Sequence, residues 1–311
     1  MLWMKRSHGL INEALAGRSS LKPSLITLNL NFTNKPHISK LKRSEFNSLL
    51  NGYISYKYPP ERIVSLDPAS TETLFRIGAG NKVVATDAFS YRPPEAKKLR
   101  KIGSYTHVSL ELLDSFKPDL VLTNWEAQKH MSMSLFQKGY PVYAINYAQS
   151  ISVILHNVIV LGSITGMITE SRRLYSELVN NIKPVEYESR PRVYVEFDLG
   201  GPITSGFLTH VADAIWISGG VNSFEFYREP YFEPKPEDIL KSEPDIIIYE
   251  PKSGDSNPKE RFIRSLKVRG LESLEKVPLA ITRGDFLAHQ GPGFIDDALP
   301  WLKETIRFVK Q

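Results

Sequence analysis

Two α/β lobes joined by one long helix are what this sequence predicts, and three observations predict it. From residue 61 onward, short apolar runs alternate with helical stretches, the pattern of parallel strands covered on both faces. Over 151–182 the apolar residues then keep a single 3.6-residue period, as one helix requires. After Pro184 a second series of strands and helices begins.

In the first series the strand-like runs are RIVSL (62–66), KVVAT (82–86), DLVLT (119–123) and PVYAIN (141–146), with helices expected over 71–77, 110–115 and 131–138. The middle stretch runs from Val153, Ile154, Val158 and Leu161 to Leu174, Leu178 and Ile182. As one helix of roughly 30 residues it would be about 45 Å long. A continuous helix is stiffer than a loop hinge, so it predicts modest lobe motion around a fixed cleft. The second series contains RVYVEF (192–197), DIIIY (245–249) and LAIT (279–282), with helices near 211–217, 236–241, 259–268 and 296–309. The boundaries that follow are a basic extension over 1–60, a first lobe over 61–148, the connecting helix over 149–184 and a second lobe over 185–311. The lobes echo one another: FKPDLVLT in the first and SEPDIIIY in the second each stop a short helix with Pro-Asp and enter a buried strand.

Composition excludes several function classes. The 311 residues carry a formal charge of +5. The first 60 hold nine Lys and Arg against Glu13 and Glu45, a net +7, which leaves −2 on the other 251. The basic balance therefore belongs to the N-terminal extension, and no nucleic-acid interface is expected on the folded body. With no cysteine, disulfides, thiolate metal sites, iron–sulfur clusters and cysteine nucleophiles are excluded, and so is a lipid-modified cysteine anchor. No apolar run reaches the roughly 18–20 residues of a membrane span. The segment SHGLINEALAGRSS after Lys5-Arg6 is broken by Asn12, Glu13 and Arg18, so it does not read as an export signal. LITLNLNF (25–32) reads as a short strand.

Chemistry-bearing patterns are sparse. No Ser-centred elbow and no HExxH motif occurs, so no enzyme is expected; Glu126 and Glu196 are the remaining general-base candidates. The seven histidines show no paired metal spacing, and His107, His210 and His289 form the one triad a direct metal binder could assemble across a cleft. Glu72, Glu111 and Glu237 each read as opening a helix, where the helix dipole favours a carboxylate. Aromatic residues gather on loops after the strands: Phe89, Tyr91, Tyr105 and Trp125 in the first lobe, Phe197, Phe207 and Tyr231-Phe232 in the second. Core packing is the plain alternative for each. Ligands bind outside the carboxyl ends of parallel strands, and flat rings with polar tips suit a large macrocycle. The glycine- and hydroxyl-rich GGPITSG (200–206) matches no phosphate-binding fingerprint and reads as a loop touching ligand amides.

The ordered set ERIVSLDPASTETLFRIGAGNKVVATD, SYRPPEAKKLRKIGSYTHVSLELLDSFKPDLVLTNW, VYVEFDLGGPITSG, GGVNSF and EPKPEDILKSEPDIIIY resembles the cobalamin and ferric-siderophore branch of ABC-transporter substrate-binding proteins. The cobalamin-binding members are the nearest in order and spacing, from Glu61 to the C-terminus. The resemblance implies two Rossmann-like lobes, one backbone helix and a ligand cleft between the lobes. It implies a monomeric, non-catalytic receptor with no intrinsic cofactor, which carries cobalamin or a related corrinoid to ABC permease subunits. Tyr91, Tyr105, Phe197 and Tyr231 match its ligand-contacting positions, with tyrosine at 105 and 231 where tryptophan is frequent. Phe89, Trp125 and Phe207 join them by position, and His289, in LAHQGPGFIDDAL, is placed facing the cleft. Glu72 and Glu237 match exposed glutamates, one per lobe, that dock onto permease arginines. A ferric-siderophore or haem binder of the same family is the alternative, with Arg92, Arg228 and Arg283 as candidate cations. An intracellular corrinoid or metal-chelate binder without a transporter is another. The family implies a location outside the cytoplasm, whereas the N-terminal reading leaves a cytoplasmic one open.

Overall fold

The computed structural model describes residues 57–186 and 188–309; the basic extension up to residue 56 and the strand expected over 25–32 lie outside the described residues. Two sheets form. The first has the order β3-β2-β1-β4-β5, all parallel, from β1 (Ile63–Ser65), β2 (Val83–Thr86), β3 (Arg100–Lys101), β4 (Leu120–Asn124) and β5 (Val142–Ile145). Helices α1 (Pro68–Arg76), α2 (Leu110–Phe116) and α3 (Lys129–Gln137) lie between its strands.

In the second sheet β10 (Ile246–Glu250) lies between β6 (Arg192–Asp198) and β11 (Leu279–Ile281), all parallel. Three strands there are new relative to the sequence reading. β7 (Pro202–Ser205) runs antiparallel to the end of β6, β9 (Tyr231–Phe232) pairs antiparallel with β7, and β8 (Val221–Asn222) runs parallel beside the start of β6. The GGPITSG segment is thus mostly strand and not a free ligand loop. Its alternation is too short to register as a period, and its glycines had suggested a turn.

The Pro-Asp echo has a physical role. Asp119 accepts the N–H groups of Glu61 (2.9 Å) and Arg62 (2.8 Å), and Asp245 accepts that of Arg192 (2.7 Å). In each lobe the aspartate that stops the helix also satisfies the otherwise unpaired amide that opens the central strand. Lys117 (φ 45) and Glu243 (φ 42) make the left-handed exit just before the proline in both copies, since a proline disfavours α geometry in the residue before it.

The connection between the lobes differs from the single rod expected. It is two helices, α4 (Ile151–Thr165) and α5 (Ile168–Asn181), broken at Gly166, which adopts φ 80. The Ile151 amide donates to Asp213 of the second lobe at 2.9 Å. At the far end of α4, Lys82 of the first lobe donates to the Thr165 carbonyl at 3.2 Å. At the end of α5, Asn181 meets Asp296 at 2.8 Å, so the chain crosses to the first lobe and returns. Apolar Ile164 and Ile168 keep the period across the break, which is why periodicity alone misses it. The hairpin closes tightly because Gly162 faces Ser171. Helices α6 (His210–Ile217), α7 (Pro236–Lys241), α8 (Pro258–Val268) and α9 (Leu299–Val309) complete the α-helices among the described residues, with a π-helical turn over Phe294–Ala298 entering α9. Among the described residues no helix is long and apolar enough to cross a membrane.

Successive strand residues serve opposite faces. Val193, Val195 and Phe197 enter a large cluster with Ile154, Val158, Leu174, Phe294 and Ile306, whereas Tyr194, Ile247 and Tyr249 pack under α8 with Phe262 and Leu266. The large cluster also takes Ile63 and Leu122 from the first lobe, so the hairpin and the C-terminal helix weld the lobes through shared core. A Cβ at Gly162 collides with the Ser171 side chain. Gly162→Ala is therefore expected to destabilise the protein by about 1–3 kcal/mol in urea unfolding, and a loss below about 0.5 kcal/mol would show that the two helices are free to separate.

Candidate functional site

The site lies where the carboxyl ends of the two parallel sheets meet. In the first lobe the chain leaves β1 into Asp67, whose side chain caps α1 by accepting the Ser70 amide (2.8 Å) and hydroxyl (2.6 Å). It leaves β2 into Asp87, which accepts the Phe89 amide at 3.2 Å and the Ser90 hydroxyl. Ser90, Thr71 and Ser65 continue as a chain of buried hydroxyls, each 2.8 Å from the next. Lys101 caps the network through Thr86 at 2.8 Å, the Ala96 carbonyl at 3.0 Å and the Ser90 carbonyl. Burial pushes the Asp87 carboxyl up to about 6, against the hydrogen bonds that favour its charge. This framework fixes the loop that carries Phe89, Tyr91 and Arg92.

Gln128, buried after β4, does the same for Tyr105. Its amide donates to the carbonyls of Leu66 and Tyr105, both at 2.6 Å, while its oxygen accepts the Asn124 amide at 2.7 Å.

The second lobe contributes one strap, residues 282–293, that runs along the seam. Glu250, the last residue of β10, is 3% exposed, and its carboxylate gathers the strap. One oxygen accepts the amides of Phe286 (3.1 Å) and Ala288 (2.8 Å); the other accepts the Leu287 amide (2.6 Å) and the Thr282 hydroxyl (2.9 Å). Burial raises its pKa despite these four donors. The strap then touches the first lobe repeatedly. Asp285 meets Tyr91 and Arg92, His289 Nε2 lies 2.6 Å from Glu72 Oε2, and Gln290 accepts the Ala148 amide at 2.9 Å. Fully buried His210 stands behind the strap, 2.9 Å from the Leu287 carbonyl and 3.2 Å from that of Ala148. Burial pushes its pKa down to about 4.

The structure separates the sequence-expected residues into groups. Tyr105 and Tyr231 reach the seam from opposite lobes, within electrostatic reach of each other and of Tyr147. Tyr231 packs edge-on to Tyr147 (6.4 Å between centroids) and Phe197 (5.7 Å). Phe89 lies edge-on to Tyr105 at 6.4 Å and is half exposed, and Phe207 is exposed on the second lobe beside the loop of Phe226. Two expected contacts are core instead. Phe197 is fully buried in the cluster shared by the lobes, and Trp125 packs inside the first lobe.

His289 and Glu72 require larger corrections. Glu72 is 7% exposed and His289 5%, so Glu72 is not a surface carboxylate and His289 does not face an open cleft; they bond to each other. The helix begins at Pro68 and not at Thr71, because Asp67 is its cap, so Glu72 lies beyond the first turn and the helix-dipole account does not apply. Burial alone would raise Glu72, but the His289 ring and the Gly293 amide, 3.1 Å from both oxygens, outweigh it and hold the carboxyl below its usual range. A Cβ at Gly293 would come within 2.6 Å of Glu72, so the Gly-Pro-Gly turn is shaped around this carboxylate. Glu237 is exposed in the first turn of α7. His107 bonds to Thr106, His210 to backbone and His289 to Glu72, so the three histidines do not converge. Gln128, Tyr147, Glu250 and Asp285 were missed by sequence reasoning. A buried carboxylate closing a strand, as in IIIYEP, was the one available signal, and only for Glu250.

Against known proteins, residues 63–275 match the family described as periplasmic binding protein. The chain belongs to that family. Within this family it is 26% identical over 194 residues to the vitamin B12-binding protein of Yersinia pestis (strain Pestoides F), covering 60% of this chain and 69% of that one. A possible iron-binding (periplasmic solute-binding) protein of Staphylococcus epidermidis ATCC 12228 superimposes with a TM-score of 0.66 at 26% identity, over 80% of this chain and 99% of that one. The periplasmic haem-binding protein of Roseiflexus sp. RS-1, in apo form, gives 0.67 at 22% identity over 81% and 99%, a likeness of fold. The two-lobed α/β fold is thus shared with both solved structures.

Two measurements probe this framework. Glu250→Gln replaces an acceptor by an amide donor facing backbone N–H groups, and a loss of about 2 kcal/mol is expected. Hydrogen exchange should quicken at the amides of 286–288 and leave β10 unchanged; uniform quickening would mean that Glu250 does not act through the strap. Asp87 has its pKa raised from 3.8 to about 6 by folding, so its contribution to stability is present at pH below about 4 and is lost as pH rises through 6, on the order of 3 kcal/mol. Asp87→Asn should therefore gain in melting temperature relative to the parent between pH 5 and 7.5, and parallel curves would contradict the assignment.

Proposed function

We propose that this protein captures cobalamin or a related corrinoid between its lobes and hands it to the permease of an ABC importer. The observation that carries the reading is the convergence of Tyr105, Tyr147 and Tyr231 from both sides of the seam at the carboxyl ends of the parallel strands. Their hydroxyls have pKa values raised by burial and stay neutral, so they donate hydrogen bonds to amides while the rings cover a flat face. Exposed Phe89 and Phe207 supply further apolar surface on either lobe. The vitamin B12-binding relative supports the ligand class. Binding without catalysis fits the carboxylates considered as bases. Glu126 is exposed, and both oxygens of Glu196 are held by Arg269 at 2.9 Å.

In the conformation described the lobes touch across the seam, so entry of a macrocycle begins with separation of Tyr91 and Arg92 from Asp285. Exposed Glu237 is the docking carboxylate of the second lobe. Glu72 serves the lobe contact, so an equivalent role in the first lobe falls to another residue. Ferric-chelate or haem binding is the second reading, favoured by Arg92 at the seam and by the iron-binding relative.

Calorimetric titration with cyanocobalamin, ferrichrome and haemin distinguishes these readings. Cyanocobalamin is expected to bind tightest, with Kd well below about 100 µM (about −5.5 kcal/mol), and Tyr105→Ala is expected to weaken it about tenfold. Tighter binding of haemin or ferrichrome would transfer the function to the second reading. Failure of all three would remove the receptor reading.

A further inference from the structure

Asp285 is placed unlike any other acidic residue at the seam. Its carboxylate lies 3.0 Å from the Arg92 guanidinium and accepts the Tyr91 hydroxyl, and Arg92 also reaches the Asp285 carbonyl. The guanidinium sits over the Tyr91 ring, 4.9 Å from its centroid. Arg92 and Tyr91 are adjacent on the first lobe, whereas Asp285 belongs to the strap of the second. The backbone there is unusual. Gly284 has φ 77 and Asp285 φ 44, a left-handed pair that a non-glycine residue adopts only when its surroundings impose it. The imposing contact is the grip of Glu250 on Phe286, Leu287 and Ala288 immediately after it. The side chains of Arg92 and Asp285 remain 23% and 31% exposed, so solvent reaches the pair.

We propose that Asp285 is an internal counter-ion standing where an acidic group of the solute binds, so that Arg92 and Tyr91 select solutes carrying a carboxylate or phosphodiester at their edge. The inference rests on the receptor reading and names the chemistry that its seam prefers. When the lobes part, Asp285 leaves with the strap, while Arg92 and Tyr91 stay together on the first lobe. They then present a planar fork of N–H donors beside a phenol O–H, a geometry that matches an oxyanion. A solute with an acidic arm restores the lost ion pair. A neutral solute leaves Arg92 without an anion in a half-buried place, and its net affinity falls accordingly. Glu72 also acts on Arg92 through space, but it is engaged by His289 and Gly293, which leaves Asp285 as the exchangeable partner.

The test uses the full chain, as parent, Arg92→Gln and Asp285→Asn, with thermal melts to verify folding. The probes are two pairs: cyanocobalamin, which has one phosphodiester, against dicyanocobinamide, which lacks it, and haemin, with two carboxylates, against its dimethyl ester. For whichever pair binds, the parent is expected to prefer the acidic member about tenfold or more. Arg92→Gln should erase that preference, and Asp285→Asn should tighten the acidic member about threefold or more. An acid-to-neutral ratio unchanged in Arg92→Gln, or weaker binding of the acidic probe to Asp285→Asn, overturns the proposal. A parent that binds acidic and neutral members equally overturns this inference alone, whereas one that binds none of the four overturns the corrinoid and haem readings with it, and failure of ferrichrome too removes the receptor reading.

Discussion

The seam depends on one carboxylate. Glu250 is carried to the end of the interior β10 strand, between β6 and β11, and buried there, where an unpaired charge would be prohibitive. Four donors from residues 282–288 converge on it, so the charge is tolerated only because the strap folds around it, and the strap is shaped only because the charge is there. Everything the second lobe offers along this edge follows from that mutual requirement. Asp285 is turned into left-handed backbone toward the first lobe, the Leu287 carbonyl is turned toward His210, and His289 is delivered to Glu72. A backbone loop is ordinarily the most adaptable part of a fold; here it is held by charge-assisted bonds at successive residues.

The two sides of the seam are held by different means. Deep in the structure, the α4–α5 hairpin and the helix following residue 293 share one apolar cluster with both sheets, and close packing of that kind resists continuous deformation. Nearer the surface the contacts are partly exposed ion pairs, Arg76 with Asp296 and Arg92 with Asp285, beside the buried contact of Glu72 with His289. Partly exposed ion pairs of this type are individually worth about 0–1 kcal/mol, so they can be exchanged for contacts to a solute without threatening the fold. A welded rear and an exchangeable front are what the proposed receptor would require, with the solute taking the place of those pairs. The tyrosines fit the same logic: their rings bury area whether they face each other or a ligand, and their hydroxyls remain neutral donors in either state.

Much of the fold was legible in the residues. Four strands of the first lobe are bare apolar runs because both faces of a parallel sheet are covered, and each of these is found within a residue or two of its expected place, whereas the two-residue β3 (Arg100–Lys101) was not foreseen. The Pro-Asp echo was visible too, although its purpose, capping the first amide of the neighbouring strand, needed the pairing of Asp119 with Arg62 and of Asp245 with Arg192. The short strands β7, β8 and β9 were not legible, since two to four residues make no period and their pairing partners are distant. The hairpin break was hidden for the opposite reason: the apolar period carries through Gly166, and only its positive φ reveals the turn.

For the site the division is sharper. By itself the sequence determined the two-lobed α/β class, the gathering of aromatic residues on loops after the strands, and the family to which the chain belongs, because those depend on local pattern and on the order of segments. Only the tertiary structure decided which of those loop residues face the seam. Tyr105 and Tyr231 do, while Phe197 and Trp125 sink into cores, and nothing in their neighbours along the chain distinguishes the two fates. It also decided that Glu72 turns inward to His289, 217 positions away. A carboxylate's exposure depends on what a distant segment places against it, and that information resides in packing.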